Sequence, residues 1–99
     1  MDVIKRIDKD VVIAEIFGRV DTSTAPKMED EICNSTNGIN EIILDCKNLE
    51  YISSAGLRVV LKLHKMMHNR KGLKLTNVGA NIVEIFDIVG FSDILCINQ

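Results

Sequence analysis

Apolar and polar positions along the chain switch between two periods. Val11-Val12-Ile13-Ala14-Glu15-Ile16-Phe17 is nearly unbroken, rich in β-branched side chains and stopped by Gly18, which predicts a buried strand. A shorter strand from Val3 to Ile7 precedes it, with Lys9-Asp10 as the hairpin turn. Beyond Asp21, a cluster of cap-type residues leads to Pro26. Proline is accepted in the first turn of a helix, where its missing N–H is not needed, so a helix opens there with Met28, Ile32 and Cys33 on its apolar face. Asn37-Gly38 ends it. Ile42-Ile43-Leu44 is too continuous for a half-exposed strand and predicts the middle of a sheet covered by helices, closed by Asp45.

The second half alternates in the same way. From Ala55 to about Arg70, Leu57, Val60, Leu61, His64 and Met67 recur at three- and four-residue spacing, the mark of an amphipathic helix, and Gly72 is its stop. Leu73 and Leu75 alternate with Lys74 and Thr76 as a strand. Ile82, Ile85, Phe86 and Val89 make a third helical stripe ended by Gly90, and Ile94 to Ile97 is a last short strand.

This order, β-β-α-β-α-β-α-β, predicts an α/β fold: a mixed sheet with helices packed against it through right-handed parallel crossovers. Burial is expected to be high at Ile43, Leu57, Leu61, Ile85 and Phe86. If the strands ending at Phe17 and Leu44 are parallel, the loops after them leave one edge of the sheet, where open α/β folds commonly bind. Asp21 to Thr24 and Asn48 to Ser54 then form one continuous polar surface.

Composition narrows what that surface can meet. The chain has 99 residues, read as one domain spanning 1–99 with a single modest core. Twelve basic against 14 acidic side chains, a formal charge of -2, argue against nucleic acid or an anionic membrane and for a protein partner. No signal-like segment and no run near ~18 apolar residues is present, which makes the cytoplasm the expected location. Cys33, Cys46 and Cys96 are odd in number and lack C-x-x-C spacing, so they are expected to be reduced and mostly buried.

The chemistry concentrates between Leu44 and Leu61, L-D-C-K-N-L-E-Y-I-S-S-A-G-L-R-V-V-L. Here a strand hands over to a helix across Ser53 and Ser54. The first amides of a helix lack intrahelical acceptors and sit at the positive end of its dipole, so a phosphate is stabilised there. Equally, both serines can be simple N-caps.

The segment D-C-K-N-L-E-Y-I-S-S-A-G-L-R resembles the signature of the STAS domain, and specifically of the small bacterial anti-sigma factor antagonists. Gly18-Arg19-Val20-Asp21 is similar to that family's turn after its second strand, with Thr22 to Pro26 opening the next helix. Gly72 to Asn77 and Ile85 to Phe91 resemble its later strand and glycine-terminated helix. Counted from Gly56-Leu57, the family's phosphoacceptor falls on Ser54, while Ser53 stands where many members carry an aspartate. The chain stops at Gln99 after a strand-like run, where many relatives continue into another helix.

What the resemblance implies is a non-enzymatic switch without a cofactor. Its unphosphorylated form binds an anti-sigma factor serine kinase and releases a sigma factor. The kinase modifies Ser54 with its own ATP, and a PP2C-type phosphatase removes the phosphate. Asp21, Thr22, Ser23, Ser53, Ser54, Gly56 and Arg58 are the expected partner-binding residues. Arg58, four residues after Ser54 on one helix face, is also placed to fold back onto a phosphate. The alternative is a constitutive STAS interaction subunit of a transporter or sensor complex, in which Ser54 only caps the helix.

Other chemistries find less support. His64 and His68 stand one turn apart, but H-K-M-M-H lacks the glutamate of H-E-x-x-H, so no metal is expected. Neither a nucleophile elbow nor a Gly-rich phosphate loop is present, so no catalytic residues are expected. Asp45 reads as a strand terminus; Asp21 reads equally as a cap and as a contact.

Overall fold

The computed structural model describes residues 1–99. Two strands, β1 (Asp2–Asp8) and β2 (Val11–Val20), form an antiparallel hairpin through Lys9-Asp10, with Lys9 in the left-handed region at φ 58°. Helix α1 (Ala25–Cys33) leads to β3 (Glu41–Asp45), α2 (Ser54–Met66) to β5 (Gly72–Thr76), and α3 (Ala80–Ile88) with a single 3-10 turn (Phe91–Asp93) to β6 (Cys96–Ile97). The sheet runs β1-β2-β3-β5-β6, parallel everywhere except the first pair. The expected mixed α/β architecture is present, and β2 and β3 are parallel neighbours.

Each parallel crossover steps in the same direction across the sheet. Because such connections share one hand, all three helices fall on one face. The burial pattern of β2 records this: Val12, Ala14 and Ile16 are at most 1% exposed, while Val11, Ile13 and Glu15 are half-buried. The expected cover of helices therefore exists on one side only. Ile43 points to the other side and is half-buried, whereas Ile42 and Leu44 lie in the core.

One strand was missing from the sequence reading. Leu49–Ile52, expected as a polar loop, forms β4 and pairs in parallel with the far end of β2. Gly18 is the device that permits this. It does not end β2 but continues it at φ +90°, its amide donating to the Asn48 carbonyl at 2.9 Å where the β2–β4 register shifts, so that β4 pairs with the same edge of β2 as β3 does. Gly72, read as a helix stop, instead begins β5 at φ +113°, five residues after the C-cap Met67.

The core gathers 23 residues, with Phe86, Ile16, Met28, Ile32, Leu63 and Met67 among the fully buried side chains. On α2 the buried stripe is Gly56, Leu57, Val59, Val60 and Leu63, with Met67 just beyond. Leu61 and His64, expected inside, are half-buried, because α2 packs against α1 as well as the sheet and is rotated accordingly. Ile85 is likewise half-buried and Val89 is 44% exposed, leaving Ile82 and Phe86 to anchor α3. Of the cysteines, Cys46 is buried, its thiol pushed up to about 12 by desolvation with help from Asp45; Cys33 is half-buried and Cys96, against expectation, exposed. No helix is long and apolar enough to cross a membrane.

Candidate functional site

The site is built where β2 and β4 end side by side. The Ser53 amide donates to the Val20 carbonyl at 2.8 Å, which ties the entry of α2 to the residue before Asp21. The two polar segments expected to share an edge of the sheet do so, joined by strand pairing.

At the first of them, Asp21 is fully engaged through one oxygen. Its Oδ1 accepts the Ser23 amide at 3.0 Å, the Ser23 hydroxyl at 2.7 Å and the Thr24 amide at 3.2 Å. The Thr24 hydroxyl accepts the Asp21 amide at 2.9 Å and donates to the Arg19 carbonyl at 2.9 Å. The Ser23 hydroxyl, followed by the local amides, holds the Asp21 carboxyl below its ordinary 3.8, against a smaller opposing effect of desolvation. Asp21 thus closes the turn that leads into α1, whose N-cap by position is Thr24; its second oxygen is free of protein partners, and Ser23 serves that turn. Thr22 is exposed beside it.

The second segment is left open. Ser53 is the N-cap of α2 by backbone geometry, φ -92° and ψ 178°, yet makes no side-chain cap; its Oγ is buried without a hydrogen-bond partner. Ser54 is the first residue inside the helix and exposed, and its hydroxyl makes no bond within the chain. Following it, the amides of Ala55 and Gly56 have no intrahelical acceptor, since the first is Leu57 N–H to Ser53 O at 2.9 Å. A free hydroxyl therefore stands at the positive end of an uncapped helix, where added anionic charge is favoured.

Gly56 does not reach the surface. It is buried, and a Cβ there would stand 2.6 Å from Ile52 Cγ1 and 2.7 Å from Val20 Cγ1. Its expected contact role is corrected to a packing role: it lets α2 press onto the ends of β4 and β2 and so sets how far Ser54 projects. Arg58 is exposed, with no ion pair or hydrogen bond. It lines a cleft of about 350 Å³ between α1 and α2, together with Thr22, Pro26, Glu29, Ala55 and Lys62. Across that cleft Lys62 donates to Glu29 at 3.0 Å, which raises the Lys62 pKa.

Two neighbours were missed by the sequence reading. The Arg19 guanidinium lies 4.3 Å from the centre of the Tyr51 ring, bridging β2 and β4 beside the site. Only the strand β4 brings these residues together, so no local motif could signal the pair. Asp45, as expected, closes its strand, accepting the Lys47 amide and the Asn77 side chain. His64 and His68 are not joined by a third metal-binding side chain.

Residues 2–99 match the STAS domain. The chain is 37% identical over 86 residues to BtrV of Bordetella bronchiseptica, a proposed anti-sigma factor antagonist, covering 85% of this chain and 74% of the relative. Against the anti-sigma-B factor antagonist of Bacillus subtilis it is 28% identical over 96 residues, 96% of this chain and 87% of that one. Among solved structures, the anti-sigma factor antagonist SpoIIAA in its unphosphorylated form superposes with a TM-score of 0.83 at 17% identity, covering 99% of this chain and 89% of that one. The Bacillus SpoIIAA structure in the phosphorylated form gives 0.75 at 17% identity, covering 99% and 92%. At these identities the structural likeness speaks for the fold.

Proposed function

The chain belongs to the STAS domain family, and from that membership we propose that it is an anti-sigma factor antagonist switched by phosphorylation of Ser54. In this reading the unmodified protein is active. It binds an anti-sigma factor serine kinase in the cytoplasm through the surface formed by Thr22, Ser53, Ser54 and Arg58, with Asp21 and Ser23 holding the neighbouring loop, and a sigma factor is released. The chain performs no catalysis; ATP is bound by the kinase, and a PP2C-type phosphatase resets the cycle.

The observation that carries the reading is the Ser54 hydroxyl itself: exposed, unbonded and at the start of a helix that nothing else caps. A residue serving only as a cap would spend its oxygen on the helix amides. A phosphate adds about -1.5 to -2 charge, and the free amides accept it without unfolding the domain. Its effect is therefore local: it places a bulky anion within the partner surface, beside the Asp21 carboxylate.

Intact mass of the protein recovered from its own cells, with the site mapped, tests this. A singly phosphorylated population at Ser54 is the expected result. Its absence under every growth condition favours the constitutive subunit of a transporter or sensor complex, and modification at Ser53 instead moves the acceptor by one residue.

A further inference from the structure

We propose that a second copy of this chain docks along β1, extending the sheet across a two-fold axis that passes beside Ile4. β1 is an edge strand of seven residues with no neighbour on its outer side. It is also where the sheet exposes large apolar side chains, Ile4 at 59% and Ile7 at 60%. Such an edge is a template for strand addition unless something blocks it. No proline or bulge interrupts β1, whose register with β2 is regular from Asp2 to Asp8.

Backbone parity decides which groups are free. The Asp10 carbonyl bonds to the Asn40 and Glu41 amides at 2.7 and 3.2 Å, so even residues of β2 face β3 and odd ones face β1. Val11 pairs with Asp8, Ile13 with Arg6 and Glu15 with Ile4. The even residues of β1 therefore bond inward to β2, and Val3, Lys5 and Ile7 present their N–H and C=O groups outward.

Only a few antiparallel registers join outward groups to outward groups about a two-fold axis. Centring on Lys5 sets Lys5 against itself and Asp2 against Asp8. Arg6 as the centre sets Arg6 against itself. With Ile4 central, Val3 exchanges hydrogen bonds with Lys5 of the second copy, Ile4 meets Ile4, and Asp2 faces Arg6 twice on the helix-free side. An Ile7 centre sets Ile7 against itself and Arg6 against Asp8, but overlaps only residues 6–8 of the strand. The Ile4-centred register overlaps residues 2–6 and also pairs opposite charges and apolar with apolar, the preference expected of directly opposed side chains. Two intramolecular ties compete weakly. Lys27 lies 3.7 Å from Asp2, both well exposed, and Lys5 reaches over the helix face to the Glu31 carbonyl and the Ser35 hydroxyl at 2.8 Å, leaving its backbone free. The two-fold assembly is closed, which prevents growth into fibres. It is independent of the Ser54 reading, since Ser54 lies on α2, beyond the ends of β2 and β4.

Sedimentation equilibrium from micromolar to about 1 mM protein tests the contact. A concentration-dependent dimer is expected. Arg6→Asp is expected to weaken it about tenfold, because two attractive cross-strand pairs become repulsive, and the double reversal Asp2→Arg with Arg6→Asp is expected to restore it. Amide hydrogen exchange read residue by residue supplies a second measure. Val3 and Lys5 are expected to gain protection at high concentration, while Ile4 and Arg6 are protected throughout by β2. A monomer over the whole range, a dimer indifferent to the reversals, or protection gained elsewhere and not at Val3 and Lys5 overturns the proposal.

Discussion

The starts of α1 and α2 lie side by side at one end of the sheet and are built in opposite ways. In the turn that enters α1, Asp21 and Thr24 consume nearly every local donor and acceptor, and the Ser23 hydroxyl is drawn into the same turn. α2, by contrast, turns the one candidate capping oxygen, Ser53 Oγ, inward without a partner, and Ser54 carries an exposed free hydroxyl. The first arrangement lowers the free energy of the folded chain. The second leaves that stabilisation unclaimed and keeps a helix terminus open to an anion. Serine-rich helix entries of similar composition are thus closed by side-chain hydrogen bonds in one case and left open in the other.

Ser54→Ala gives the largest contrast. Phosphorylation is expected to vanish in a kinase assay while chemical stability stays within about 0.5 kcal/mol, since no hydrogen bond is lost. Ser54→Asp sharpens it further: a carboxylate in the first turn is expected to stabilise the fold by about 0.3–1 kcal/mol while abolishing partner binding. Stability and binding moving in opposite directions distinguishes a switch from a cap, which would lose both.

Next in size is Gly56→Ala. The new methyl meets Ile52 and Val20 at distances no Cβ tolerates, and urea denaturation is expected to show a loss of roughly 1–3 kcal/mol. The comparison breaks if this variant is neutral, because the open start of α2 would then not depend on close approach to the strands.

Asp21→Ala addresses the saturated start. It is expected to lower the thermal midpoint, with pH dependence of a definite sign. A carboxyl whose folded pKa lies below its unfolded value adds stability that is fully present above the ordinary 3.8 and is lost as pH falls through the lower folded value. Wild type and Asp21→Ala should therefore differ most near neutrality and converge in acid. A gap that widens on acidification contradicts a carboxylate that stabilises this turn.

Arg58→Ala separates the two forms of the protein. The guanidinium has no partner, so the unmodified protein should melt unchanged, whereas the phosphorylated protein should lose stability if the side chain closes onto the phosphate. Equal melting in both forms at one salt concentration leaves Arg58 as a contact to the partner.

Much of this was legible from residue pattern. The strand, the Ser-Ser pair and the apolar helix stripe located the strand-to-helix junction, although Ser54, expected just before a helix from Ala55, is the first residue of α2, and β-branched runs located β2 and β3. Hidden features each depended on tertiary placement. β4 is four residues long with polar Glu50 exposed, too short to show a period. Gly18 looks like a stop because glycine both ends strands and bends them. Val59, Val60, Leu61 and Leu63 make α2 apolar around most of its circumference, so the buried face was fixed only by its second neighbour, α1. One-sided cover of the sheet followed from strand order, which three apolar residues in β3 cannot reveal.

Ser53→Ala is expected to do least, and its sign carries the comparison. By residue type and position Ser53 is a good N-cap, and removing a working cap costs about 1 kcal/mol. Its hydroxyl is instead buried and unpaired, a state that costs stability in the wild type, so an alanine of nearly the same shape removes an unsatisfied group. The expected change in urea denaturation lies between zero and a gain of about 1 kcal/mol, with Ser54 still phosphorylated by the kinase. A loss of about 1 kcal/mol would mean that Ser53 Oγ rotates onto the amides of Ala55 or Gly56 in solution. The start of α2 would then be closed by side-chain hydrogen bonds, as the turn into α1 is, and a phosphate at Ser54 would have to displace them before it could use the helix amides.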